Sequence, residues 1–254
     1  MIAQPLTPGM FYHIYNRGIN GCEIFREKKD YERFLLLYDT YIDPVAETYA
    51  WALMGNHFHV VVRIKEECDI QTLFELYGKK NIYTSKEVGN SRNNCCHTST
   101  VVVDPVDGNS NTTKNTSIHN HRQGFQPLTG FQETNQYTRK PKASNQFAHL
   151  FNSYAQHYNN KYNRHGSLFE RPFKRLKITS ETYLRQVIMY VHNNPVHHGF
   201  CEHTIEYPWT SYMSLFSNKS TKIERNMVVE LFDGTDNLHH MHETCENNFD
   251  VQLE

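Results

Sequence analysis

The chain has 254 residues, with 26 Lys/Arg against 27 Asp/Glu and a formal net charge of −1. That length buries one good core or two small ones, and the balanced charge excludes a global polycation, leaving only a local basic surface as a route to nucleic acid. Six cysteines (Cys22, Cys68, Cys95, Cys96, Cys201, Cys245) lack CxxC spacing, which argues against a zinc knuckle or a disulfide framework.

Met1-Ile2-Ala3-Gln4-Pro5 has no signal-peptide pattern and no run reaches membrane-spanning length, so the expectation is a soluble cytoplasmic protein with no membrane partner. Phe11-Tyr12-His13-Ile14-Tyr15-Asn16 is aromatic and β-branched, is bounded by Pro8-Gly9 and Arg17-Gly18, and reads as a first strand. From about Glu27 to Tyr41, the residues Tyr31, Phe34, Leu35, Tyr38 and Tyr41 recur at helical spacing, which predicts an amphipathic helix stopped by Asp43-Pro44. A hairpin begins near Glu47: apolar runs on either side meet at a Gly55-Asn56 turn, and the second run reads His57-Phe58-His59-Val60-Val61-Val62-Arg63-Ile64. Side chains alternate across a strand, so His57 and His59 share one face and Phe58 takes the other. Two imidazoles side by side on a rigid strand can hold a metal ion; an ordinary half-buried strand in a chain of 16 histidines is the alternative. Asp69 to about Tyr83 reads as a further helix, with Asp69 its N-cap and Leu73, Leu76 and Tyr77 its apolar stripe. The run of elements predicts an α+β, ferredoxin-like (RRM-like) antiparallel sheet with helices on one face.

From about Ser85 to Ala143, Asn, Thr, Ser, Gly, His and Gln dominate and no period holds. Such composition does not bury enough surface to offset its ordering entropy, so residues 85–143 read as a disordered insertion, with a functional polar arm as the alternative. Order resumes with Phe147, Leu150, Phe151, Tyr154, Tyr158 and Tyr162, a helical stripe. In the next segment, residues 163–177, Arg164, Arg171, Lys174, Arg175 and Lys177 stand against Glu170 alone, interleaved with Phe169 and Phe173. Cations neutralise phosphates and rings stack on bases, which suits single-stranded nucleic acid; a charged strand edge that resists aggregation fits the same residues. Ser180 caps the next helix, which runs through Tyr190 and Asn194 and is expected to end at Pro195. The rest, 216–254, reads as a small helical extension seated by Val228, Leu231 and Phe232, with a frayed polar tail from Leu238 to Glu243.

Tyr190 and Asn194 are one turn apart and share a helix face. Asn194 could complete a coordination shell begun by His57 and His59, which would set the Tyr190 phenol beside the same ion. A core tyrosine and a helix-terminal asparagine explain the spacing equally well.

Together, the His57-Phe58-His59 strand behind its Met54-Gly55-Asn56 turn and the distal Tyr190-Val191-His192-Asn193-Asn194-Pro195-Val196-His197-His198-Gly199 helix resemble the single-tyrosine HUH transposases. More narrowly, they are similar to the REP-associated tyrosine transposases. The likeness spans about residues 8–84 and 144–215, first part and remainder of one domain, with the basic Gly166-to-Lys174 segment between the motifs and the polar insertion as the departure. It implies an enzyme that nicks and transfers single-stranded or hairpin-bearing DNA. By that resemblance His57 and His59 are the HUH histidines, Asn194 is the third ligand to Mg2+ or Mn2+, and Tyr190 is the nucleophile. Tyr154 and Tyr158 compete for that last role but read better as packing. Two imidazoles are unusual for magnesium, so affinity for the ion alone should be modest. Tyrosine titrates near 10, so forming phenolate at pH 7 costs about 4 kcal/mol, part of which a nearby cation offsets. Attack by Tyr190 on the scissile phosphate leaves a 5′-phosphotyrosine that a second 3′-hydroxyl can reverse, with no nucleotide cofactor. Arg17, Arg171, Lys174, Arg175 and Lys177 are the candidates for holding the DNA backbone. The resemblance admits a homodimer without requiring one. A catalytically silent DNA-binding protein of the same fold and a metal-dependent phosphodiester hydrolase are the competing readings.

Overall fold

The computed structural model describes residues 5–72, 76 and 139–245. The chain divides into two units, residues 1–72 with 140–254 and residues 73–139, and every element named below belongs to the first. The predicted insertion lies almost wholly outside the described residues, as does the helix expected to continue to Tyr83; Asp69 itself sits in a turn.

Strand β1 (Phe11–Arg17) leads to helix α1 (Lys28–Tyr41), whose start is fixed by a capping box in which the Asp30 carboxylate accepts the amides of Arg26 and Glu27. The hairpin of β2 (Ala46–Met54) and β3 (His57–Ile64) follows, then helix α2 (Ala143–Lys161), strand β4 (Lys174–Ile178) and helix α3 (Glu181–His197). Three short helices close the chain: α4 (Tyr212–Phe216), α5 (Arg225–Leu231) and α6 (Thr235–Cys245). The strands form one sheet in the order β2-β3-β1-β4 with every neighbouring pair antiparallel. This is the order of a split βαβ, ferredoxin-like sheet, the α+β class the sequence predicts.

Alternation divides the sheet into two faces. Tyr12, Ile14, Phe58, Val60, Val62 and Ile64 pack against Phe34 and Leu37 of α1 and Phe147, Leu150 and Phe151 of α2. Tyr154 and Tyr158 of α2 are fully buried there, and their phenols donate to the carbonyls of Ile24 and Glu23, so packing accounts for them. The opposite face is also covered: Ala50, Ala52, Met54 and Val61 lie against Val187, Ile188 and Val191 of α3, with Val228, Phe232 and Leu238 completing that core. The free edge of β2 is blunted by the segment around Trp209–Ser211: Leu53 N–H donates to the Trp209 carbonyl, Ser211 N–H donates to the Trp51 carbonyl, and Trp51 N–H donates to Ser211 Oγ.

Two expectations are overturned. Pro195 does not end α3, which continues to His197 and closes on Gly199 at φ +70°. Proline deletes one amide donor, and here that loss falls in the last turn of a helix held by burial from Leu184 to Pro195. The tract from Leu238 to Glu243 is not a frayed tail: it forms the middle of α6, with Leu238 and His242 buried. These two residues are four apart and so share the face that docks on α3.

Candidate active site

The hairpin tip that presents His57 is clamped from three sides. Gly18 N–H donates to the Asn56 carbonyl, while Ile24 and Phe25 both donate to the Gly55 carbonyl. Across β1 and β3 the register pairs Arg17 with His57, Tyr15 with His59 and His13 with Val61. On the other side β4 pairs Lys174 with Tyr15 and Leu176 with His13. Directly paired residues point to the same face, so Arg17, Tyr15, His13, His57, His59 and Lys174 form one polar patch at one end of the α3-covered face.

Helix α3 lies over this patch. The His57 Nε2 is 3.1 Å from Asn194 Oδ1, and its Nδ1 is 2.6 Å from Asn56 Oδ1. The Tyr190 ring meets His59 edge-on with centroids 5.6 Å apart, and His13 at 5.9 Å. His57 and His59 are themselves edge-to-face at 5.2 Å. The structure therefore brings together four of the residues singled out from sequence: His57, His59, Tyr190 and Asn194. All are inside: His57 is 7%, Tyr190 6%, Asn194 1% and His59 0% exposed. At the rim stand His198, whose ring is 4.7 Å from that of His57, and the exposed side chains of Arg17 and Lys174.

The basic candidates do not act as one surface. Arg17 donates to Glu170 at 2.7 Å. Arg171 is exposed in the loop before β4. Arg175 and Lys177 pair with Ile14 and Tyr12, and so point to the face away from the histidines. The Arg175 guanidinium sits 4.0 Å over the Phe173 ring, and burial pulls its pKa below the usual value. Phe169 is 5% exposed in the core and Phe173 packs on Phe147 and Phe151, so neither ring is presented for base stacking.

Sequence reasoning missed His13 and Tyr15. His13 is fully buried, and its Nε2 lies 2.9 Å from Nδ1 of His59. Burial, and then the neighbouring His59, hold its pKa well below the ordinary 6.5. Tyr15 is stacked on both rings, at 4.9 Å from His13 and 5.4 Å from His59. The alternation of Phe11-Tyr12-His13-Ile14-Tyr15 places the two on one face, but only the strand register identifies that face as the one bearing His57 and His59.

Among the described residues no group of three or more His, Cys, Asp or Glu side chains is arranged to hold a metal ion. The donor set here is two imidazoles and an amide, and it fits a cation on two counts. A neutral imidazole donates from one nitrogen only, yet His57 has an amide oxygen against each nitrogen. If Nδ1–H serves the nearer oxygen of Asn56, the Nε2 lone pair faces the Asn194 oxygen, an arrangement that a shared positive charge relieves. The separation of 3.1 Å also matches two adjacent donors of an octahedral hard cation, about 3.0 Å for bonds near 2.1 Å. The Asn194 Nδ2 is buried with no hydrogen-bond partner among the described residues, so the amide can turn its oxygen to a cation or its NH2 to the His57 Nε2 lone pair.

No family model matches the chain and no curated protein matches it. Among solved structures it is similar to that of a REP-associated tyrosine transposase bound to a REP hairpin, at 10% identity over 86% of each chain and a TM-score of 0.44. At that level the likeness assigns no activity. No helix among the described residues is long and apolar enough to cross a membrane.

Proposed function

We propose that this protein is a DNA strand transferase that cleaves and rejoins single-stranded, hairpin-bearing DNA through a 5′-phosphotyrosine on Tyr190. One observation carries the reading. A phenol and an amide one turn apart on a late helix meet two histidines of an early strand, with Asn194 Oδ1 3.1 Å from His57 Nε2 and the Tyr190 ring 5.6 Å from that of His59. A cation between His57 Nε2 and Asn194 Oδ1 would satisfy both lone pairs at once.

A divalent cation, Mg2+ or Mn2+, would be held by His57, His59 and Asn194 and would supply Lewis-acid polarisation of the scissile phosphate. The chain's own groups do the rest. The Tyr190 oxygen forms the new bond to phosphorus as the bond to the 3′-oxygen breaks; the phenol gives up a proton and the leaving 3′-oxygen gains one. The phosphotyrosine keeps the phosphodiester's bond energy, so an incoming 3′-hydroxyl reverses the step and joins new ends. Arg17 and Lys174, on the histidine face, hold flanking phosphates, and Arg171 reaches the strand from its loop. Because the reacting groups are at most 7% exposed, the phosphate must approach closely at one end of the sheet. A single strand can do so, whereas a stacked duplex is too wide and stiff.

The test is a denaturing gel of the protein incubated with Mg2+ and a labelled single strand carrying a hairpin. The wild type yields a covalent protein–DNA adduct, Tyr190→Phe yields none, and Tyr15→Phe still does. Cutting by Tyr190→Phe with release of a free 5′-phosphate would make the protein a hydrolase. Binding without cutting by the wild type would make it a silent DNA-binding relative.

A further inference from the structure

Between His13 and His59 a single proton occupies the 2.9 Å contact joining Nε2 of one ring to Nδ1 of the other. It can belong to either nitrogen, and the two cases differ chemically. If His13 donates, His59 accepts at Nδ1 and must carry its own proton on Nε2, which then has no lone pair for a cation. If His59 donates from Nδ1, its Nε2 is a ligand. Which nitrogen of a histidine is metallated is set by the hydrogen bond made by the other, and such outer partners affect metal affinity strongly.

We propose that His13 is a positioning residue: it accepts the Nδ1–H of His59 and so holds that ring in the tautomer, and at the angle, in which Nε2 serves the cation. This rests on the cation-binding reading of His57, His59 and Asn194. Two features of the fold support it. His13 is 0% exposed, so no water competes for its acceptor nitrogen. Its Nδ1 then carries the ring's proton with no hydrogen-bond partner among the described residues, a cost that cation binding at His59 must offset. Tyr15 lies flat against both rings, at interplanar angles of 26° and 17°, and fixes their common plane. His13 also stands at the edge of the Tyr190 ring, so a single buried side chain orients one proposed ligand and touches the proposed nucleophile. His57 has a different outer partner, Asn56 Oδ1, which accepts from Nδ1 in the same sense. The two histidines are thus oriented from opposite sides by a neighbouring amide and a neighbouring ring.

The experiment uses the full chain and two readouts other than DNA cleavage. Long-range proton–nitrogen NMR of the imidazoles in saturating Mg2+ reports the His59 tautomer. Titration with Mn2+, followed by the spin-resonance signal of the free ion, reports affinity. The wild type is expected to show His59 protonated at Nδ1. His13→Phe, which keeps a ring but offers no acceptor, should lose that form and bind Mn2+ ~10- to 100-fold more weakly. His13→Gln, whose side-chain oxygen can accept, should restore both. A wild-type His59 protonated at Nε2 overturns the proposal whether or not His13→Phe folds. Loss of Mn2+ binding in His57→Ala with unchanged binding in His13→Phe removes His13 alone and leaves the proposed function intact. Unchanged binding in His57→Ala removes the cation site itself, and this inference with it.

Discussion

Lowering the pH of the metal-free protein should unfold it earlier than its carboxylates explain. His13 and His192 are both fully buried, and burial, then a neighbouring histidine, holds each pKa well below 6.5. In the unfolded chain each ring takes up a proton near pH 6.5; in the folded chain it does not. The unfolded state therefore binds more protons below that value, so this part of the stability is whole above pH 6.5 and is lost as pH falls. Each ring contributes up to ~1.4 kcal/mol per pH unit in that window, and the two together ~3 kcal/mol per unit. Against a typical total of about 5–15 kcal/mol this is a large share. His157 and His197 are shifted the same way and add to the trend. Asp30 acts elsewhere. Lys161, the Arg26 amide, Tyr162 and the Glu27 amide outweigh its desolvation and lower its pKa, so its contribution is lost only as pH falls below the carboxylate range near 4. The assay is urea denaturation in EDTA at pH 7.5, 6.5, 6.0 and 5.5. The free energy should fall by under ~1 kcal/mol between the first two values and about two to three times more steeply per pH unit between the last two. His192→Gln should lower that slope by about half. A wild-type slope below ~1 kcal/mol per unit under pH 6.5 would refute the burial argument.

Charge and geometry give two further predictions. Arg17→Ala and Lys174→Ala, on the histidine face, should each reduce the salt dependence of single-strand binding by about one charge. Arg175→Ala, whose guanidinium covers Phe173 on the opposite face, should leave that slope alone and lower stability instead; equal slopes for all three in a fluorescence-anisotropy salt series would refute the division. Gly18→Ala should destabilise by roughly 1–3 kcal/mol, because a Cβ there would lie 1.9 Å from the Cys22 carbonyl oxygen in the loop beside His57; an unchanged denaturation midpoint would show that the loop simply moves.

Much of the frame was legible because its signals are local. The Gly55-Asn56 turn between apolar runs, the three-and-four spacing of α1 and α2, and the Ser180 cap, whose hydroxyl accepts from Tyr183 N–H at 3.2 Å, all depend on neighbours within a few residues. The Tyr190–Asn194 spacing and the His57–His59 alternation were equally local, and each could be read on its own strand or helix. What the sequence hid was register. His13 joins the site only because β1 pairs with β3 so that Tyr15 lies opposite His59, and nothing in either strand alone sets that offset. Pro195 misled because a local rule was outweighed by burial of the rest of α3. The basic segment also carried two meanings at once, since strand alternation sends Lys174 to one face of the sheet and Arg175 and Lys177 to the other.

The C-terminal extension matters to the site through the far side of α3. At about 100° per residue, His192 lies nearly opposite Tyr190, whereas Asn194 is only about 40° from it. One side of the helix therefore meets the sheet histidines while the other is gripped by later segments. The grip has a fixed direction. Trp51 N–H donates to Ser211 Oγ at 2.9 Å, and the same oxygen lies 2.8 Å from His192 Nε2. At the other end His242 Nδ1 lies 2.7 Å from the Leu238 carbonyl, which can only accept, so His242 Nε2 accepts from His192 Nδ1–H at 3.0 Å. Asn193 adds a second tie, accepting from the Thr204 hydroxyl at 2.6 Å and donating to the His242 carbonyl. With its Nδ1 proton given to His242, a neutral His192 accepts at Nε2 from the Ser211 hydroxyl, and rotating α3 about its axis would break several buried contacts at once. A helix held this way cannot adjust Tyr190 and Asn194 independently of α6. The proposed nucleophile's position over His59 is thus set as much by a histidine fifty residues further along the chain as by the sheet beneath it.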